Sequence, residues 1–495
     1  MDVMQNVFFG LQVCLQPENL LYCFIGVLIG TLIGVLPGIG PMGAMSILLP
    51  ATYGVTPVGA IIMMGGIFYG AQYGGSTTSI LVNIPGEVTS IATCLDGYQL
   101  AKKGRAGPAL GMAAVGSFIG ATIVIVVMMF VSNPLAKAAL NFGPPEYFAL
   151  VCVGLVILTL LTQGSTYKGL MMALLGILLG TIGMDLFAVP RFTFGLDNLL
   201  DGLGLAPMVM GLFGVSEVLI NIEQPEDREI FLSKIRGLLP NFKDWMASKW
   251  AILRGTVIGV FLGILPGGGA TISAFAAYAM EKRFSKYPER FGTGVIEGVA
   301  APETANNAAA QASFIPLLSL GIPTNPVMAI LFGGLLIHGI QPGPLLIRDH
   351  PEMFRGVIMS MYLGNIMLLA LNLPLIGIWV KILRIPYNML FPLILFFCLI
   401  GSYSISNSTM DIYILVLFGF VGYLMRKLEF EAAPLTLAYV LSNLLEVNFR
   451  QSLILSDGSL TIFFTRPISA VFIIAAVGFL TFNIFHSSYK RKLVG

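Results

Sequence analysis

An all-α polytopic membrane protein built from two inverted-topology repeats is the fold class this chain predicts. Three observations predict it: a composition outside the soluble range, apolar runs of membrane-spanning length, and a helix-breaking motif that occurs twice. Of 495 residues, 56% are hydrophobic and 11% are charged, whereas soluble domains carry about 25% charged residues. Mean hydropathy is +0.87. Runs near the ~20 residues that cross a hydrocarbon core recur along the chain. Examples are 111–131, 148–161, 170–187, 357–380, 412–425 and 470–484. They predict roughly 10–12 spanning segments plus hairpins.

The formal net charge of +2 comes with no basic run beyond ordinary membrane-flanking loops, so nucleic acid is not expected as a partner. Five cysteines (Cys14, Cys23, Cys94, Cys152 and Cys398) lack metal-ligand spacing and read as small core residues. The start MDVMQNVFFG lacks a basic n-region, so the first apolar segment is expected to be retained.

The first element is the hairpin at about 26–50, centred on IGVLPGIGPMG (33–43). An offset of 229 positions lays 26–40 on 255–269, with eight of fifteen positions identical. Among them are Gly26/Gly255, Gly30/Gly259, Gly34/Gly263, Pro37/Pro266, Gly38/Gly267 and Gly40/Gly269. The copy, LGILPGGGATI (262–272), centres a second hairpin at about 252–280. A further match, Ile84-Pro85 with Ile322-Pro323, has an offset of 238, the difference arising from the charged insert EKRFSKYPER (281–290). Each hairpin is followed by a discontinuous helix, at about 58–95 and about 292–341. The first repeat therefore spans 1–220, a polar cytoplasmic linker 221–250, and the second repeat with C-terminal spans 251–495.

Loop charge orients the halves, because Lys and Arg concentrate in short cytoplasmic loops. Basic loops carry Lys102, Lys103 and Arg105, then 234–249, 282–290, 381–384, Arg426 and Lys427, and the tail Lys490, Arg491 and Lys492. The stretch from Pro50 to Pro57 is uncharged where its counterpart is strongly basic. The counterpart of the 102–105 loop is near neutral. Matching loops thus face opposite sides, the mark of an inverted repeat. The first hairpin is expected to enter from outside, the second from the cytoplasm, and the C-terminus to be cytoplasmic.

Unwound chain at mid-depth survives only inside protein or beside water. The tips Pro37–Gly40 and Pro266–Gly269 expose backbone amides at the start of a half-helix, whose partial positive end suits an anion. The glycines before each tip have small-xxx-small spacing and read as packing residues. Polar segments follow in apolar surroundings. The first, 73–87, carries Ser76, Thr77, Thr78, Ser79, Asn83 and Glu87. The second, 302–314, carries Glu303, Thr304, Asn306, Asn307, Gln311 and Ser313, and is followed by Thr324 and Asn325. Their oxygens suit Na+ and their N–H groups suit carboxylates. Glu303 is the carboxylate expected at depth, as proton carrier, cation ligand or partner of an arginine. Glu87 reads as closer to the interface.

No phosphate loop, H-E-x-x-H pair or G-x-S-x-G elbow occurs, and His338, His350 and His486 lack metal spacing. The chain reads as no enzyme, without catalytic residues, cofactor or metal beyond Na+. Polarity concentrated at two breaks argues against a passive channel with a continuous polar stripe.

The stretches GTLIGVLPGIGPMGAMSILLP, YGGSTTSILVNIPGE, LDGYQLAKKGRAGPALG and EGVAAPETANNAAAQASFIPLLSLGIPTNPVMAILFGGLLIHGIQPGP carry a resemblance over nearly the whole chain. It resembles the large membrane subunit of the tripartite tricarboxylate transporters, the TctA type. The resemblance implies a secondary transporter of the bacterial inner membrane, importing tricarboxylates such as citrate, dicarboxylates or related organic acids. It implies symport driven by Na+ or H+, delivery by a periplasmic solute-binding protein (TctC type), a small four-helix membrane subunit (TctB type), and elevator-type alternating access. A homo-oligomer in membrane lipid is compatible with it. Carried onto this chain, the substrate site comprises Pro37, Gly38, Gly40, Thr77, Thr78, Asn83, Pro266, Gly267, Gly268, Gly269, Asn306, Asn307, Thr324 and Asn325. The coupling ion falls to Glu303, Asn307 and Asn83. No intramembrane arginine is placed for a multiply charged anion, so either the backbone donors suffice or Arg254 or Lys102 lies nearer than its loop position. A stand-alone ion-coupled antiporter or permease is the competing reading.

Overall fold

The computed structural model describes residues 3–36, 40–160, 165–185, 187–223, 237–267, 269–382 and 387–494, with the backbone alone at 3–4, 160, 387–390 and 482–494. Pro37, Gly38 and Gly268 of the predicted tips lie outside the described residues, as does much of the predicted linker. The first half runs α1 (Val3–Cys14), α2 (Pro17–Val35), α3 (Gly40–Leu48), α4 (Pro57–Val82), α5 (Ile91–Lys102), α6 (Ala106–Ala139), α7 (Pro144–Leu160) and α8 (Thr166–Gly180). A short antiparallel ladder, β1 (Gly183–Met184) with β2 (Pro190–Arg191), leads to α9 (Leu205–Val209), a π-helical stretch (Met210–Val215) and α10 (Ser216–Glu223).

The second half runs α11 (Phe242–Ile264), α12 (Gly269–Phe284), α13 (Glu297–Ala312), α14 (Phe314–Leu320), α15 (Pro326–Ile337), α16 (Leu346–Asp349), α17 (Pro351–Asn372), α18 (Ile376–Ile382), α19 (Tyr387–Ser406), α20 (Thr409–Lys427), α21 (Ala432–Leu455), α22 (Ile462–Thr465) and α23 (Pro467–Val494). Proline opens α2, α4, α15 and α17, where a missing N–H costs no helical bond. Asn241 and Asp244 cap α11 reciprocally.

Among the described residues six helices are long and apolar enough to cross a membrane: α2, α6, the α9–α10 run, α11, α17 and α20. Five shorter apolar helices accompany them. The chain is a multi-pass helical membrane protein. Three boundaries differ from the sequence reading. The apolar run 357–380 is two helices, α17 and α18. The first arms of both predicted hairpins start earlier than expected, at Pro17 and Phe242, giving 19 and 23 residues.

The glycine-bearing arms pack on the helices that follow them. A Cβ on Gly26, Gly30 or Gly34 would lie 2.2–2.5 Å from the carbonyl oxygens of Met63, Ile67 and Ala71 on α4. On Gly255, Gly259 and Gly263 it would lie 2.5–2.6 Å from those of Ala301, Ala305 and Ala309 on α13. Glycine here permits backbone-to-backbone approach. The α13 positions stand 238 residues beyond their α4 counterparts, the offset of the second sequence match. Asn83 and Gly321, at that same offset, both end their helices in the left-handed region, at φ 58° and 72°. Gly40 and Gly269 open α3 and α12 with φ +64° and +51°.

Candidate functional site

The polar face of α13 follows from helical spacing: Glu303, Asn307 and Gln311 recur every fourth residue, with Thr304 and Asn306 beside them. All five are buried. The alanines on the rest of the helix let α6 and α11 approach closely, so the polar face is closed over by neighbours.

Glu303 stands at the centre. Ser76 of α4 donates its hydroxyl to Oε2 at 2.5 Å, and Thr93 of α5 donates to Oε1 at 2.5 Å. Ser117 of α6 donates to the Glu303 carbonyl at 3.1 Å. The Asn307 amide nitrogen donates to Ser117 Oγ at 2.8 Å and to Asn306 Oδ1 at 2.6 Å. Three helices, α4 and α5 from the first half and α13 from the second, therefore meet at the carboxylate, and α6 bonds the backbone of the same residue. Among the described residues no Lys, Arg or His pairs with it. A buried carboxylate without a base needs a proton or a bound cation.

Next to this carboxylate the buried amide groups are only partly used. Among the described residues Asn307 Oδ1, both polar atoms of Gln311 and Thr304 Oγ1 have no hydrogen-bond partner, while the Asn306 amide interacts with the Glu303 carboxylate. Each unpartnered group carries a desolvation cost of roughly 1–3 kcal/mol. Amide and hydroxyl oxygens suit a small cation, and the Gln311 NH2 group suits an anionic oxygen.

The other predicted residues fall into three groups. Thr77 and Thr78 are buried on α4, Thr78 donating to Gly75 O at 3.0 Å. Gly267, Thr324 and Asn325 form a second cluster. Gly267 N–H donates to Thr324 O at 2.7 Å, and Asn325 caps α15 through Met328 N–H at 3.0 Å. Pro266 packs on α7 near Gly154, and Gly269 lies against Asn325. In the first half the corresponding contact is Gly86, where an added Cβ would sit 2.0 Å from Gly34 O. Each tip region thus rests on the break of its own half. Asn83, by contrast, is exposed, and its left-handed backbone is its described role; no described contact joins it to Glu303.

Arg254 and Lys102 are otherwise engaged. Arg254 of α11 makes a bidentate pair with Glu281 of α12 at 2.8 and 2.7 Å, and Lys102 sits 4.5 Å over the Tyr98 ring.

Sequence reasoning passed over Thr93, Ser117 and Asp96. Asp96, fully buried, accepts from Gly292, Gly294 and Val295 N–H at 2.7–3.0 Å and from Tyr278 OH at 2.8 Å. It ties α5 to the loop that opens α13, one turn from Thr93, and so sets the register in which Thr93 meets Glu303. The signal was a carboxylate beside glycine in LDGY, inside an apolar helix.

The family model for the tripartite tricarboxylate transporter TctA family matches residues 20–437. The chain is 49% identical over 471 residues to an uncharacterized 52.8 kDa protein in the TAR-I ttuC' 3'region of Agrobacterium vitis, covering 95% of this chain and 94% of that one. It is 54% identical over 212 residues to an uncharacterized protein in the TAR-II ttuC' 3'region of the same organism, covering 43% of this chain and 88% of that one. No solved structure matches the chain.

Proposed function

This chain belongs to the tripartite tricarboxylate transporter TctA family, and from that membership we propose that it is the large subunit through which tricarboxylates, dicarboxylates or related organic acids enter across a bacterial inner membrane. A cation gradient drives uptake, a periplasmic binding protein of the TctC type delivers the acid, and a small TctB-type subunit accompanies it. The observation that carries the reading is Glu303, a baseless buried carboxylate beside unpartnered amide donors and acceptors. Glu303 and Asn307 hold the coupling cation, Na+ or H+. The amide donors and the backbone N–H groups of the tips, Pro37–Gly40 and Pro266–Gly269, hold the carboxylates.

Inverted repeats with re-entrant hairpins and an elevator-type movement belong to the same proposal. In support, the bases of the two hairpins pack at opposite ends of the α13–α15 run. Leu49, after α3, packs on Gly334 near the end of α15. At the other end Asp96 joins Tyr278 of α12 to the loop before α13, and Lys103 donates to Thr293 O at 2.6 Å.

The test is reconstitution of the chain in proteoliposomes, with and without a TctB-type small subunit and a TctC-type binding protein. Uptake of radiolabelled citrate, tartrate and succinate is followed under an imposed Na+ or pH gradient. Uptake that depends on the binding protein and on the gradient is expected. Gradient-driven uptake by the chain alone would favour the stand-alone permease, and ATP-dependent uptake would sink both.

A further inference from the structure

Among the described residues Glu87 is another carboxylate buried without a base, and unlike Asp96 it has no cluster of backbone N–H donors around it. It closes the first helix break and is 7% exposed, where the sequence placed it nearer the interface. Gly75 makes the room: a Cβ there would lie 2.8 Å from Glu87 Cγ. The next residue, Ser76, is the one bonded to Glu303, so the two carboxylates flank consecutive residues of α4. Ser90 holds the Glu87 backbone by donating to its carbonyl at 2.8 Å.

The side-chain array around Glu87 is short of one positive charge. The Thr89 hydroxyl lies 2.8 Å from Gln72 Oε1 and within hydrogen-bond distance of Glu87 Oε1. A hydroxyl donates once, so two acceptors share one proton. A proton on Glu87 would donate to Thr89 Oγ1 and release Thr89 to donate to Gln72. Na+ would instead be held by the same three oxygens. Turning the Gln72 amide to present its nitrogen satisfies Thr89 but leaves an ionised Glu87 buried without a cation. On the elements packed against this turn the acidic, phenolic and thiol groups are Tyr69, Tyr73, Cys94, Asp96, Tyr98, Tyr278, Glu281, Glu297 and Glu303, of which Glu281 is paired with Arg254. The bases on those elements, Lys102, Lys282 and Arg283, are exposed.

We propose that Glu87, with Thr89 and Gln72, holds a second monovalent cation, a proton or Na+, so that the loaded carrier binds two, one at each carboxylate. The inference rests on the transport reading above, and its chemistry is consistent with co-transport of a multiply charged anion.

The experiment uses the complete transporter in proteoliposomes. Initial uptake of whichever radiolabelled acid the panel identifies is measured against Na+ at fixed pH and against pH at fixed Na+. The axis that activates names the cation. Wild type is expected to rise with a Hill coefficient of about 2, and Glu87→Gln, with slower uptake, with one of about 1. A Glu87→Gln slope equal to that of wild type overturns the proposal. Should Glu87→Gln fail to reach the membrane, the cation-to-acid ratio from the wild-type reversal potential decides: two supports the second site and one overturns it. Absence of any acid uptake by wild type would remove the transport reading itself, a distinguishable result.

Discussion

At the scale of single residues, Glu303 decides most. Its two carboxylate oxygens each take one hydroxyl, and nothing described supplies a compensating base. Glu303→Gln keeps the shape and one acceptor oxygen but cannot carry the charge that attracts a cation. Gradient-driven uptake should fall at least ~100-fold, a loss of about 3 kcal/mol of coupling at 1.36 kcal/mol per decade, with the protein still in the membrane. Asn307→Ala removes the donor to Ser117 and Asn306 and should cost roughly tenfold. Wild-type rates from both variants at equal membrane abundance would sink the assignment. Glu303 and Asn307 were legible in the sequence because polar residues inside an apolar helix are costly and need a reason. Thr93, Ser117 and Asp96 were not. A lone hydroxyl in an apolar helix reads as bonded to its own backbone, and only the crossing of α5 and α6 over α13 shows otherwise.

At the scale of elements, the glycines divide by what surrounds them. Gly34 and Gly263 face carbonyl oxygens of Ala71 and Ala309 at 2.2 and 2.5 Å from an added Cβ. Backbone cannot step aside as a flexible side chain can, so alanine there should cost ~1–3 kcal/mol or more through overpacking. Gly40 meets nothing within 4 Å and needs glycine only for its φ of +64°, a cost of about 1–2 kcal/mol for alanine. Detergent-solubilised Gly34→Ala and Gly263→Ala should therefore lose monodispersity at a lower temperature than Gly40→Ala. Equal melting of all three would show that the arms do not pack as described. Small-xxx-small spacing announced this division before any contact was visible. The exact starts of α2 and α11 were hidden, because the signals that set them, Pro17 opening α2 and Asn241 capping α11, lie outside the apolar motif used to find the hairpins.

At the scale of the whole molecule, the repeated contacts and the proposed inversion have a consequence that can be read from outside the cell. The same glycine-on-carbonyl register recurs in both halves, yet the hairpin bases pack at opposite ends of the α13–α15 run. If that run crosses the bilayer, the loop after α3 and the loop after α12 are in different compartments. Loop charge agrees: no charge lies between Pro50 and Pro57, whereas 281–290 is rich in Lys and Arg. Tyr53 and Lys286 are both exposed in those loops. With Tyr53→Cys and Lys286→Cys made singly, a membrane-impermeant maleimide applied to intact spheroplasts should label the first and spare the second. Inside-out vesicles should reverse the pattern. The parent chain is the baseline, its five native thiols being buried or partly buried. Labelling of both positions from the same side would show that the two hairpins enter from one face, and the inverted repeat would fall while the packing register stood.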